Sequence, residues 1–380
     1  MMPQAADVII VGGGIMGAAT AFFLRQRGRS VILLERELIG RQASGTNFGN
    51  VRRQGRYFAQ LPLSNRARDI WGRLPELIGE DVEFLPSGHL RVGYRPEHVA
   101  SMEAYAEGAK PYGLDLELLS ANMLRQRFPF LGPDAIAGSY APHDGHANPR
   151  LAAPAFARAA TRAGATIVEN AEVAAIEKVG ADFHVTAKDG RIWRAPAVQL
   201  SAGAWASRLA AQFGETVPAT AKGPQMAVTE AAPYAITPVL GVSSKELHEI
   251  IYFRQIPRGN IIIGGTGHGQ IDLDTIRARV DPAVTLRQFG QLRRLAPALA
   301  NLRIIRVWSG IEGYIADDLP IMGPSVKVPG LFYAFGFCGA GFQLGPGVGD
   351  VMAELIDTGA TTTPIEAFSV ARFANVEETP

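Results

Sequence analysis

Residues 7–35 constrain the fold of this chain more than any other stretch. Asp7 to Val11 is a short apolar run suited to a buried strand, and Gly12-Gly13-Gly14-Ile15-Met16-Gly17 is a tight turn. Ala18 to Arg27 is helix-forming, with apolar positions such as Ala21 and Leu24, and Gly28 stops it. Val31-Ile32-Leu33-Leu34 is a second apolar strand that ends at Glu35. Strand, turn, helix and strand in about thirty residues make a complete βαβ unit.

Within that unit Gly12, Gly14 and Gly17 match G-x-G-x-x-G, and Glu35 lies eighteen positions after Gly17. The pattern follows a strand and opens a helix, the context in which it binds a dinucleotide. Gly12 makes the turn, Gly14 lets a diphosphate approach the backbone, and Gly17 lets helix and strand pack closely. The helix N-terminus, from Gly13 through Ile15 and Met16, offers free N–H groups and partial positive charge. Glu35, followed by Arg36, can accept hydrogen bonds from a ribose diol. The later glycine clusters, 264–269 and 345–349, do not match the fingerprint. One fingerprint at the extreme N-terminus favours FAD over a nicotinamide dinucleotide, and Arg41-Gln42-Ala43-Ser44-Gly45 could wrap the diphosphate.

The bulk numbers restrict the partners. Lys plus Arg is 37 and Asp plus Glu is 36, so no global field calls for nucleic acid or an anionic membrane. The single cysteine, Cys338, cannot form an internal disulfide, and no apolar run approaches the roughly 20 residues of a membrane span. The start lacks the basic and apolar blocks of a signal peptide, so a cytoplasmic protein without a transmembrane segment is expected. A length of 380 residues suggests two joined domains.

Elsewhere the pattern predicts a helix over 65–78 broken at Pro75, a strand over 82–94, helix and loop over 98–128, and a helix over 151–163. Strands follow at 166–168, 173–176 and 198–201, with a hairpin about Asp189-Gly190. A second hairpin spans 248–263 and sets Ile250, Tyr252, Arg254 and Ile256 on one face. A strand over 330–335 and a helix over 346–356 close the pattern.

Taken together, the chain resembles the glycine oxidase, sarcosine oxidase and D-amino acid oxidase family of FAD enzymes. The resemblance rests on Gly12 to Gly17 with Glu35-Arg36, Ala43 to Asn47, Ser201-Ala202-Gly203-Ala204-Trp205, and Gly336 to Gly349. It implies an α/β fold: an FAD-binding Rossmann-type domain with a second substrate domain built on a mixed β-sheet. The first would comprise 1–85, 145–215 and 320–380, the second 86–144 and 216–319. It implies cofactor contacts at Ser44, Asn47, Val173, Ala202, Gly203, Trp205 and Gly310. It also implies a C-terminal flavin loop at Gly341, Phe342, Gln343 and Leu344. Residues 51–56 and 308–314 look most like beta subunits of opine and proline-type dehydrogenases, which work beside an alpha subunit and an iron–sulfur electron-transfer protein.

Three departures from the family shape the chemistry. The position near Glu312, where glycine oxidases carry an Arg for the substrate carboxylate, is acidic here. No Lys occurs between Lys245 and Lys327, and no Cys before Cys338, which implies non-covalent FAD and poor oxygen reactivity. Ala340 stands where a His often precedes the Gly-Phe pair.

A small amino or imino acid substrate wants Arg for its carboxylate, because the guanidinium fork matches it bidentately. Residues 41–73 hold seven Arg and one acidic residue. Arg52 is the first candidate, by family position. Arg254 is the second, sharing a strand face with Tyr252. Arg53, Arg56 and Arg66 read as solvated or partner-facing. Glu312 could hold a substrate ammonium or guanidinium, or be tied to Arg303 or Arg306. His143 and His146 are too few for a metal site, and His89 and His268 are candidates for the cavity lining. The expected reaction is oxidation of a C–N bond by hydride transfer to flavin N5, in a dehydrogenase subunit. A self-sufficient oxidase releasing peroxide, or a flavin-bearing assembly subunit without its own substrate, are the alternatives.

Overall fold

The structure is a computed structural model and describes residues 4–374. Val8–Val11 and Val31–Leu34 are fully buried and pair in parallel, Val8 opposite Val31 and Val11 opposite Leu34. The helix between them, Ile15–Gln26, begins inside the glycine turn, and Gly28 ends it at a φ of +80°. These strands occupy the middle of a six-stranded sheet. Its order is 321–324, 331–335, 197–200, 8–11, 31–34 and 166–168, parallel except for the first strand.

Helices Ile15–Gln26, Pro149–Arg162 and Gly341–Thr358 cover one face of this sheet through Phe22, Phe156, Val348 and Met352. The opposite face meets a four-stranded sheet through Phe183, Val185, Trp193 and Tyr333. A strand apolar on both sides needs a layer on each. Segments 89–93, 117–120, 137–141, 219–231, 239–242, 251–255, 260–269, 304–309 and 312–315 build a nine-stranded mixed sheet. It has its own core at Leu90, Leu240, Phe253, Ile263 and Leu292. The fold is thus mixed α/β. Among the described residues no helix is long and apolar enough to cross a membrane.

Several elements differ from the sequence expectation. The break in the 61–78 helical region falls at Arg73, between Leu61–Gly72 and Leu74–Ile78. Pro75 sits in the first turn of the second helix, where its missing N–H costs nothing. Of 82–94 only His89–Gly93 is strand. The 98–128 stretch hides a strand, Glu117–Ser120, in which only Leu119 is buried. That edge strand has too little apolar alternation to be seen in sequence. The last helix begins at Gly341, so residues 341–346 are helical and not a loop. Pro346 is tolerated inside the helix because Phe342 to Gly349 are all buried, and tertiary packing offsets the lost hydrogen bond.

Candidate active site

A cavity of about 640 Å³ runs from the glycine turn to the face of the nine-stranded sheet that carries Tyr252 and Glu312. At the turn, Gly12 has a φ of +107°, and a Cβ there would stand 2.5 Å from the Ser201 carbonyl oxygen. A Cβ on Gly17 would stand 2.0 Å from the Gly12 oxygen, so this glycine serves helix–strand packing and does not line the cavity. Gly13 also stays behind the wall, with its N–H donating to Glu35 Oε2 at 2.7 Å. The N–H of Glu37 donates to Glu35 Oε1 at 2.8 Å. Burial raises the Glu35 pKa against these two donors. Ser44 Oγ accepts from Ile15 N–H at 2.8 Å. Asn47 bonds the carbonyls of Ala43 and Ser44 and accepts from Gly49 N–H.

The cavity lining includes Gly12, Gly14, Ile15, Met16, Glu35, Arg36, Ser44 and Asn47. It also includes Val173, Ala202, Gly203, Trp205, Gly310, Gly341 and Phe342. Gln343 and Leu344 are buried behind it. Gln343 bonds Ser64 and accepts from Trp71 Nε1, locking the last helix to Leu61–Gly72. Arg36 stacks on the Trp205 ring, 4.1 Å from its centroid, and its Nε is buried without a partner. Bare glycine backbone at a helix N-terminus, an acidic strand end and an orphaned guanidinium nitrogen fit the diphosphate, ribose and outer phosphate edge of FAD.

At the other end Arg52, Arg56, His89, Arg91, Tyr252 and Glu312 line the same cavity. Gly55, at a φ of +75°, leaves room for two guanidinium groups. A Cβ there would stand 2.4 Å from Arg91 Nη1 and 3.0 Å from Arg52 Nη1. Arg52 Nη1 donates to the Gln54 carbonyl, and Arg56 Nη2 reaches the Ala340 carbonyl at 3.4 Å while its Nε has no partner. None of the three pairs with a carboxylate among the described residues. Burial lowers all three, Arg91 to about 10, and each of Arg56 and Arg91 is further lowered by Arg52.

His89 is set by its neighbours. Gln54 Nε2 donates to Ser139, so the Gln54 oxygen faces His89 Nδ1 at 3.0 Å and Nδ1 must carry the proton. Burial, then the charges of Arg52, Arg91 and Arg56, hold this imidazole neutral. Nε2 is left as an acceptor. Glu312 accepts from Gly339 N–H at 2.8 Å and from Tyr314 O–H at 3.1 Å, not from Arg303 or Arg306. Burial raises its pKa, and likewise that of Tyr252.

Other expected residues lie elsewhere. Arg254 shares the Tyr252 face and packs under Phe48, but it does not reach the cavity. It donates to the Phe48 carbonyl and meets His146 Nδ1 at 2.9 Å. The solvated reading of Arg53, Arg56 and Arg66 is corrected. Arg53 pairs with fully buried Asp144 at 3.2 Å, Arg66 pairs with Asp350 and Glu354 at 2.8 Å, and Arg56 is 6% exposed. Burial demanded partners or a function for each, and a local charge count could not see acids 90 to 290 residues away. His268 lies edge-on to Tyr314, outside the lining, and the His143 carbonyl accepts from Arg68. Cys338, at a φ of +49°, lines the cavity as a thiol that burial pushes up to about 11. The clusters at 264–269 and 345–349 serve packing instead of a ligand. Gly264 clears Tyr252, Gly345 clears Ile15 and Gly349 clears Ala19.

Sequence reasoning missed Arg91 and Arg56. Arg91 was findable, since His89 and Arg91 alternate with apolar Leu90 and Val92 in a strand. Arg56 sits in an irregular segment that carries no such signal.

Residues 7–355 match the family model described as "DAO: FAD dependent oxidoreductase". The chain is 28% identical to glycine oxidase of Geobacillus kaustophilus, covering 98% of each. It is 27% identical to an opine oxidase subunit of Rhizobium meliloti, covering 97% of each. The crystal structure of L-proline dehydrogenase from P. horikoshii superimposes with a TM-score of 0.91 at 27% identity, over 99% of this chain and 100% of that one.

Proposed function

The chain belongs to the DAO family of FAD-dependent oxidoreductases, and from that premise we propose that it oxidises the C–N bond of a small amino or imino acid, with Arg52 as a carboxylate anchor and Glu312 facing the amine. The carrying observation is one cavity with a dinucleotide turn at one end and cations plus a single carboxylate at the other. That polarity matches an amino acid, which offers carboxylate and amine a few ångströms apart.

The bound flavin supplies the two-electron acceptor. The chain's part is positioning. Arg52 orients the carboxylate, so that the α-carbon comes within about 3–3.5 Å of the acceptor atom. A hydride leaves only a neutral amine readily, and His89 Nε2 can accept the amine N–H while its Nδ1 stays tied to Gln54. Glu312, held by Gly339 and Tyr314, stabilises positive charge that develops on nitrogen as the C=N bond forms. Tyr252, Phe48 and Met226 exclude water from that step.

The test is anaerobic. Opines, D- and L-proline derivatives, sarcosine and glycine are mixed in turn with the holoprotein while the flavin band is followed. Reduction by at least one of them is expected, and reduction by none removes the reading. Glu312→Gln should slow reduction and alter any preference for cationic side chains.

The likeness to an opine oxidase subunit favours action inside a complex with an alpha subunit and an iron–sulfur partner. The likeness to glycine oxidase over its full length favours a second reading, a self-sufficient oxidase. Rates with an artificial acceptor and with oxygen separate them. Peroxide release as fast as acceptor turnover would establish the oxidase.

A further inference from the structure

The charge of the reacting end narrows the substrate, on the premise that the amino acid reading above holds. Arg53 and Asp144 neutralise one another, and Asp144 is further held by the N–H groups of residues 53 and 54. Among the described residues, Glu312 is the one carboxylate left in the reacting end of the main cavity. It already accepts two hydrogen bonds and lies opposite Lys222 on the paired strand. Arg52, Arg56 and Arg91 therefore stand without an anion, two of them converging over Gly55 and the third with an orphaned Nε. Buried cations without partners are costly unless a ligand completes them.

A monocarboxylate with a neutral amine would leave at least one of these guanidinium groups uncompensated. A second carboxylate corrects this. We propose that the substrate is a secondary amine flanked by two carboxylates, an N-carboxyalkyl amino acid. The converging Arg52 and Arg91 take one carboxylate and Arg56 takes the other. An adjoining cavity of about 190 Å³ shares Arg52 and Arg56 but also carries Asp318, so the acidic arm stays in the main cavity. In the reaction the α-C–H bond breaks with its electron pair passing to the flavin, nitrogen loses its proton, and C=N forms. Water then adds, and C–N cleavage releases a 2-oxo acid and a primary amino acid.

Oxydiacetate and methoxyacetate carry two carboxylates and one around an ether oxygen, and neither has an amine to oxidise. Their affinities for the holoenzyme are read from the shift of the flavin absorption band at fixed ionic strength. Oxydiacetate should bind at least about tenfold more tightly, the effect of one further charge-assisted pair. Arg56→Met should shrink that ratio toward one. Equal affinity for the two ethers in the unaltered protein overturns the proposal, whether or not the variant folds. In parallel, iminodiacetate and N-(1-carboxyethyl) amino acids should reduce the flavin with a higher kcat/KM than sarcosine or proline. Preference for the monoacids sinks the diacid proposal and leaves amino acid oxidation standing. Reduction by no amine acid removes both.

Discussion

Single residues here carry opposed demands. Arg56 is buried, its Nε is orphaned, and its neighbour Arg52 repels it. Removing one such charge should relieve the fold while harming the site. Arg56→Met is expected to stabilise the flavin-free protein by about 1–3 kcal/mol in urea denaturation. The same change should raise KM for carboxylated substrates by about tenfold or more. A drop in stability would show that Arg56 is structurally paired after all. Gly55 makes a complementary case. Gly55→Ala adds a Cβ 2.4 Å from Arg91 Nη1 in a left-handed backbone. It should leave the far-ultraviolet spectrum intact and raise KM more than it lowers kcat, since the displaced groups bind and do not react.

At the scale of elements, the last helix joins core to site. Its first residues, Gly341 and Phe342, line the cavity, while Gly345 and Gly349 lie one turn apart against the helix Ile15–Gln26. A Cβ on Gly349 would stand 2.4 Å from the Ala19 Cβ. Two packed helices cannot both hold position with an added methyl there. Gly349→Ala should destabilise the protein by about 1–3 kcal/mol in chemical denaturation. It should also weaken FAD retention on gel filtration, because the helix it pushes away carries part of the cavity wall. Normal stability with full flavin would show that the two helices yield at no cost.

For the whole molecule, buried histidines set the acid limit. His146 is pushed down to about 2 by burial and by Arg254, against an ordinary value near 6.5. It is neutral when folded and protonates when unfolded, so its contribution is complete above pH 6.5 and is lost as pH falls below that. The loss is about 1.4 kcal/mol per pH unit. Neutral His89 acts in the same direction. Unfolding free energy should fall steeply between pH 6.5 and 5, and His146→Gln, which keeps an acceptor for Arg254, should flatten that slope. FAD should raise Tm with concentration, since it binds only where turn, strand end and last helix meet.

Local patterns were enough for the βαβ unit, the hairpins and the cofactor end, since Gly12 to Glu35 are neighbours along the chain. Backbone conformation and short-range periodicity are local properties, and the residues themselves encode them. The short edge strand Glu117–Ser120 and the helical start at Gly341 escaped, because long-range pairing and burial override local preference there. The reacting end was decided only by the tertiary structure. It joins residues 52–56 to a strand at 89–93, a strand at 251–255 and a strand at 312–315, segments that meet because the nine-stranded sheet folds over the FAD-binding one. Whether an arginine is solvated, paired or left waiting for a ligand depends on groups up to about three hundred residues away, and no local window contains that information.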